Sequence, residues 1–570
     1  MKKREVTCLA CILLAVLLIN VYYVSLKSGY YVDEGMTLFL ANGHYNGAVT
    51  SKSEYDIGDF ITSYVIKPGD NLIDIFDNVC GMLQELVSAG NYSQEGTVEW
   101  YDNARKMLQG NARWMTGKEL YEEVVAENGA RFQYVQVYIN QALDVHPVFY
   151  YFLVHTVFSL FPDAYSDAYL FSINIIFLLL TCIVLYKMIK RFWKDERAAF
   201  LAVIIYGFSQ GFASCAVYFR MYAVLTFFVI CTLYLHLMIR EEEELFAGKR
   251  KWLALGSVVW LGFNTHYYYI LFLFPLFVLT CIRIWKKKTL RTGYIKCMLI
   301  TGISSLIIWP FSLYHILFGY RGTEAVSNVF SAGIIEKMQG CMGEFGKAFF
   351  AGNVWGAFFV LITLIVMSVW IQYYKKATRI IFAEMIVPCV VYLAIVAQIA
   401  PVISDRYLMC LFPILASIIA IELLNLVRLI VRKPKYESMI GICSAVIIVA
   451  VNIFLISPNY LYQEQAGKTL ELSGEKKEYD CLMIGFDHGQ GFPEVLKLWK
   501  FQNVLVVGQH EMDMIEPIDN SDSKGMVIYI YEGLETEEFL DIALEKMQGK
   551  ESYEEIESDI ESFRAYLYQK

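Results

Sequence analysis

Apolar runs long enough to cross a bilayer recur along this 570-residue chain, and that pattern decides its class. Lipid offers backbone groups no hydrogen-bond partner, so runs of about twenty apolar residues must cross as helices. The chain therefore reads as an α-helical multi-pass membrane protein. Composition agrees, because only 18% of residues are charged, against about 25% in soluble domains. The first run, Thr7 to Leu26, follows Lys2-Lys3-Arg4 and ends in bulky Val21-Tyr22-Tyr23-Val24, with no small-residue cleavage site. It reads as an uncleaved first span with a cytoplasmic N-terminus.

Basic clusters in short loops mark the cytoplasmic side. They fall at Lys187 to Arg197, Arg240 to Lys251, Arg283 to Arg291, Lys375 to Arg379, and Arg428 to Lys435. The 42 residues between Arg197 and Arg240 predict two helices with an outer turn near Gly211. Only 31 residues separate Lys251 from Arg283. Two legs there reach about 22 Å each, short of a core of about 30 Å. Their turn at Asn264-Thr265-His266-Tyr267 should lie at or slightly below the outer boundary, against protein or a water-filled cavity. Further spans are expected near 296–317, 353–374, 380–400, 407–427 and 438–458. Segment 146–186 should break at Phe161-Pro162-Asp163, which gives about eleven transmembrane helices in all.

Two larger regions are expected outside, a helical first outer loop (27–145) and a small C-terminal α/β domain (459–570). In the loop, Leu72, Ile75, Phe76, Val79, Met82, Leu83 and Leu86 form one helical face. That face either lies along the membrane or packs within the loop. Thr116-x-x-Glu119 is a capping-box pattern. Short β-type runs at 480–486, 504–508 and 526–531 alternate with helical stretches near 492–500 and 535–547. From Asn459 onward, 24 Asp/Glu face 10 Lys/Arg, so the tail carries −14 and the rest about +5. This asymmetry marks two differently placed regions, 1–458 and 459–570, and gives no support to nucleic-acid binding. Of thirteen cysteines only Cys80, Cys341 and Cys481 lie in polar segments, without metal-ligand spacing or a disulfide framework.

Ionisable groups at span ends are costly in a lipid-embedded chain and call for a reason. Away from the cytoplasmic clusters they are few: Asp33-Glu34 after the first span, Asp144 and His146, Arg220, His266, and Asp405-Arg406. Singly, each has an ordinary explanation. The arginines can snorkel to headgroups, and His146-Pro147 is a natural helix start. What is informative is that nearly all map to the outer membrane level.

In order and in membrane side, these groups resemble the GT-C glycosyltransferases that use polyprenyl-phosphate sugars. The matching pieces are Asp33-Glu34, Asp144-Val145-His146-Pro147, Arg220-Met221-Tyr222-Ala223, Thr265-His266-Tyr267-Tyr268 and Arg406-Tyr407-Leu408. The likeness is nearest to the bacterial branch that modifies lipopolysaccharide, including the aminoarabinose transferases. Protein mannosyltransferases are more distantly similar. It spans about residues 1–430 and departs where Val148 replaces a second proline and where Ser209-Gln210 lies far from Arg220. The acidic tail has no assigned counterpart.

The resemblance implies transfer of a sugar, with inversion, from a lipid phosphate to an acceptor hydroxyl of a glycan, lipid or protein on the outer face of the cell membrane. Asp33 would be the base, with Glu34 or Asp144 as orienting or alternative carboxylates. Arg220, His266 and Arg406 would bind the donor phosphate, and His146, Tyr222 and Tyr267 would position substrate. No cofactor is required, although a divalent cation near Asp33 and Asp144 is compatible. Two other classes stay open on the residues alone: a transporter or flippase of lipid-linked glycans, and a non-catalytic GT-C-like scaffold.

Overall fold

The computed structural model describes residues 3–44, 49–53, 55, 57–88, 99–109, 111–241, 248–329, 331–350, 362, 366, 376–431, 434–462, 472–516, 523–546 and 553–569. Contacts divide the chain into two compact units. Met1–Ser25 with Phe171–Asn459 forms one, and Leu26–Leu170 with Tyr460–Lys570 forms the other.

The first unit is a helical bundle. Helix α1 (Lys3–Ser25) is its first span. Among the described residues five helices are long and apolar enough to cross a membrane, or seven if each of two bent pairs is one span. The expected span at 353–374 lies outside the described residues apart from 362 and 366. Asp167–Trp193, Lys376–Ile399 and Phe412–Ile430 occupy expected spans, and Pro434–Leu455 fills the last of them. The segment 146–186 breaks where expected, between Phe149–Leu160 and Asp167–Trp193.

Two expectations are corrected. Gly211 is not a turn; it lies inside the helix Gln210–Val217. The chain bends by 54° just before it, where the Ser209 hydroxyl accepts from Phe212 N–H at 3.1 Å and donates to Tyr206 O at 2.6 Å. A serine cap starts a new helix there, and the next break between helices falls at 218–221. Nor is 296–317 one straight span. The helix Lys288–Ile308 ends at Trp309-Pro310, and the chain resumes at 93°. Proline has no N–H and restricts the residue before it, so a helix stops there.

Two buried charge pairs brace this bundle. Glu5 pairs with Lys190, and Arg283 pairs with Glu384. Arg283 also donates to His236 O at 2.9 Å, and His236 Nε2 meets the Tyr294 hydroxyl at 2.9 Å. An unpaired charge at that depth would cost several kcal/mol.

The second unit is built on a six-stranded sheet. Its strands are β1 (Met115–Thr116), β2 (Asp480–Gly485), β3 (Asn503–Gly508), β4 (Gly525–Tyr531), β5 (Tyr553–Ile556) and β6 (Phe563–Gln569). The order is β1-β3-β2-β4-β6-β5. Strand β2 runs parallel to both β3 and β4, and the remaining pairs are antiparallel. The three parallel strands are buried almost throughout, which is why they read as unbroken apolar runs. Leu482, Ile484, Leu505, Val507, Ile528 and Ile530 pack with Leu540 and Ala543 of the helix Thr536–Lys546.

The tail is not set apart from the outer loop. Met115 and Thr116 pair with Val504 and Asn503, which closes one edge of the parallel strands. Thr50 Oγ1 accepts from Val506 N–H at 2.9 Å, and the Tyr121 ring lies 4.4 Å from that of Trp499. The capping box forms as expected: Thr116 Oγ1 accepts from Glu119 N–H at 3.1 Å, and Glu119 accepts from Thr116 N–H at 2.8 Å. Leu72–Ser88 is helical, with Leu72 85%, Ile73 71% and Phe76 67% exposed, so these side chains do not pack within the loop. All thirteen cysteines are free thiols.

Candidate active site

The sequence-predicted residues fall into two groups, one in each unit. In the second unit, helix α2 (Val32–Asn42) begins where the chain leaves the first span. Asp33 and Glu34 both occupy its first turn, where carboxylates favour the exposed N–H groups. Their surroundings differ. Asp33 is partly exposed, whereas Glu34 is 1% exposed. Glu34 accepts from Tyr31 N–H at 2.7 Å, and Lys27 Nζ lies 3.1 Å from each of its carboxylate oxygens. Both of these side chains are fully buried.

Such a carboxylate serves the helix start and meets the Lys27 ammonium. Asp33 is the more exposed of the pair. We therefore expect Glu34→Gln to destabilise the protein by about 3 kcal/mol or more, because it leaves the buried Lys27 ammonium without its counter-charge. Thermal unfolding in detergent checks this; Asp33→Asn should leave the transition within about 0.5 kcal/mol of wild type.

Asp144 ends the helix Tyr134–Leu143, and its Oδ2 lies 2.8 Å from Nδ1 of His146. A carboxylate in that position orients the ring and fixes its tautomer. The same helix is tied to α2 by Asn140, whose amide donates to Leu40 O and Gly43 O at 3.2 and 2.9 Å. Asp33, Glu34, Asp144 and His146 thus lie on parts of one unit that pack together.

In the first unit three breaks between helices supply the cations. Arg220 lies in the break between Gln210–Val217 and Tyr222–Glu241, His266 in the turn between Lys249–Phe263 and Tyr269–Ile284, and Arg406 in the short turn Asp405–Tyr407. All three are nearly buried, at 2%, 7% and 8% exposure. Aromatic rings join Arg406 and His266. Arg406 donates to the Tyr218 hydroxyl at 3.0 Å and lies 5.0 Å over the Tyr407 ring. Tyr218 stacks on Tyr222 at 5.7 Å, and Tyr222 lies 5.6 Å from His266. Tyr268 closes the circuit, 4.9 Å from His266 and 5.6 Å from Tyr407. His266 Nδ1 accepts from Tyr268 N–H at 3.0 Å, which leaves the ring proton on Nε2 when His266 is neutral.

Buried cations between aromatic faces suit an anion that arrives with a lipid. Tyr222 is part of this circuit, and Tyr267 makes other hydrogen bonds. Its hydroxyl meets His315 Nδ1 at 2.8 Å and accepts from Trp309 Nε1 at 2.9 Å, so it braces the 309–310 break. Sequence reading missed Tyr218, Tyr268 and Lys27. The signal for Lys27 was a cation just beyond an apolar run, seven residues before a carboxylate. Among the described residues no three His, Cys, Asp or Glu side chains cluster as a metal site would require.

Residues 145–314 match the family model for dolichyl-phosphate-mannose-protein mannosyltransferases. That stretch contains His146, Arg220 and His266; Asp33 and Arg406 lie outside it. The fold is similar to that of ArnT from Cupriavidus metallidurans bound to undecaprenyl phosphate. The TM-score is 0.50 at 11% identity, over 74% of this chain and 87% of that one. The resemblance to GT-C glycosyltransferases stands. The apo structure of the same ArnT aligns with a TM-score of 0.46, also at 11% identity and over the same shares of the two chains. No curated protein matches this chain by sequence.

Proposed function

We propose that this chain is a membrane glycosyltransferase that moves a sugar from a polyprenyl-phosphate donor to an acceptor hydroxyl on the outer face of the cell membrane. One observation carries the reading. Two separate helix breaks bring His266 and Arg406 to one buried, aromatic-lined circuit, and Arg220 is buried in the chain between two of its rings, Tyr218 and Tyr222, in a chain whose fold is like that of a protein crystallised with undecaprenyl phosphate.

The chemistry follows from where charge develops. The acceptor oxygen attacks the anomeric carbon, and the bond from that carbon to the phosphate oxygen breaks with its electron pair going to phosphate. Arg220, Arg406 and His266 take up the charge that grows there. The proton of the acceptor hydroxyl passes to Asp33, whose partner Glu34 is already committed to Lys27 and Tyr31. His146, oriented by Asp144, positions substrate. Attack opposite the leaving group inverts the anomeric centre.

The test is stereochemical. Purified protein is incubated with a polyprenyl-phosphate sugar of defined anomeric configuration and a panel of glycan and lipid acceptors. NMR of the product should show the opposite configuration. Retention would exclude Asp33 as a simple base, and recovery of intact donor with every acceptor would count against transfer.

A further inference from the structure

The tail from Tyr460 onward has so far no part in the chemistry, although its packing against α2 gives it one. Asp33 lies between two anchor points, and both are made by the tail. Before Asp33, Lys27 Nζ donates to Tyr460 O at 2.7 Å, Ser28 N–H donates to Leu461 O at 2.8 Å, and the Ser28 hydroxyl donates to Tyr462 O. Lys27 in turn holds Glu34, whose carboxylate holds Tyr31 N–H, so this anchor reaches into the first turn of α2.

After Asp33, Gly35 rides directly on the backbone of Phe492. A Cβ built at Gly35 would stand 2.1 Å from Phe492 O and 2.7 Å from its carbonyl carbon. Phe39, one turn further on, meets the Phe492 ring edge-on at 5.3 Å. Phe492 is itself 4% exposed, in the single 3₁₀ stretch His488–Glu494 that follows β2. Gln490 Oε1 and Asp487 Oδ1 accept from Phe486 and Gly489 N–H at the start of that stretch. The segment is thus fixed at its root to the parallel sheet and at its tip to α2.

We propose that the acidic tail is the positioning element for Asp33, with Phe492 as its principal contact. The proposal rests on the transferase reading above. In it, Phe492 is a positioning residue: it touches no substrate and acts by setting where the first turn of α2 stands. A displacement of about 1 Å at a reacting group costs about a hundredfold in rate, so the contact of the Phe492 ring with Phe39 is enough to matter; the contact at Gly35 is made by backbone and Cβ atoms that Phe492→Ala keeps.

The experiment compares full-length wild type, Phe492→Ala and Phe492→Leu on three readouts: transfer kinetics with a polyprenyl-phosphate sugar, equilibrium binding of polyprenyl phosphate, and amide hydrogen exchange. Phe492→Ala should lower kcat at least tenfold while KM for the donor and binding of polyprenyl phosphate stay within about twofold. Exchange should quicken about tenfold in 35–41 but not in 137–143 or in β2 and β3. Phe492→Leu, which restores most of the bulk, should recover most of the rate and of the protection. Wild-type kcat in Phe492→Ala, or protection lost across the whole sheet together with donor binding, overturns the positioning role. If wild type itself transfers no sugar, the transferase reading fails and this role falls with it. An active wild type with an equally active variant condemns the positioning role alone.

Discussion

Asp33→Asn is expected to bind donor as wild type does and to transfer its sugar about a thousandfold more slowly. The amide is isosteric with the carboxylate but cannot accept the acceptor's proton, and loss of a general base costs about 10² to 10⁴ in rate. Asp33 is only partly buried, and loss of its charge from the first turn of α2 should cost only about 0.5 kcal/mol, so folding should be little affected. The neighbouring Glu34→Gln should do the reverse, weakening the fold through Lys27 and reaching the rate only through that. Adjacent carboxylates with opposite signatures, one kinetic and one thermodynamic, are a sharp consequence of their different burial. Pre-steady-state turnover and thermal unfolding on the same two preparations separate them.

The second large effect is expected at Arg406. Its guanidinium is buried, donates to Tyr218, and lies over Tyr407. If it meets the donor phosphate, Arg406→Ala removes a charge-assisted contact worth about 2–5 kcal/mol. That is a loss of about thirtyfold to several thousandfold in kcat/KM for the donor, with acceptor KM little changed. Arg406→Lys should recover only part, since an ammonium cannot reproduce the planar fork of donors. Tyr218→Phe is the control. It deletes the 3.0 Å hydrogen bond and leaves the charge, and should cost no more than about 1 kcal/mol. Should Tyr218→Phe match Arg406→Ala, the arginine would be braced scaffolding and its phosphate role would be refused. Measured donor affinity by titration of polyprenyl phosphate decides it.

How much of this was legible beforehand depends on whether the signal was local. The capping box at Thr116 and Glu119 was readable because both partners lie three residues apart. The turn at 264–268 followed from length alone, since 31 residues cannot make one crossing and keep both basic clusters inside. Pro310 carried its break in plain view, but its apolar neighbours masked it. Tyr267 and Tyr268 are indistinguishable in sequence; within the turn the first meets Trp309 and His315 and the second His266 and Tyr407. Lys27 finds Tyr460 across 433 residues, and β1 is two residues long, too short for any periodicity. The union of outer loop and tail in one sheet is therefore a tertiary fact with no local signature.

The central claim is that a bond to a lipid phosphate is broken here and a new glycosidic bond is made. Proteoliposomes carrying the protein and a radiolabelled polyprenyl-phosphate sugar, challenged with candidate acceptors, test it directly. The account predicts release of free polyprenyl phosphate in step with labelled acceptor, in wild type and not in Asp33→Asn. Movement of intact donor between leaflets without release, equal in both proteins, would contradict it.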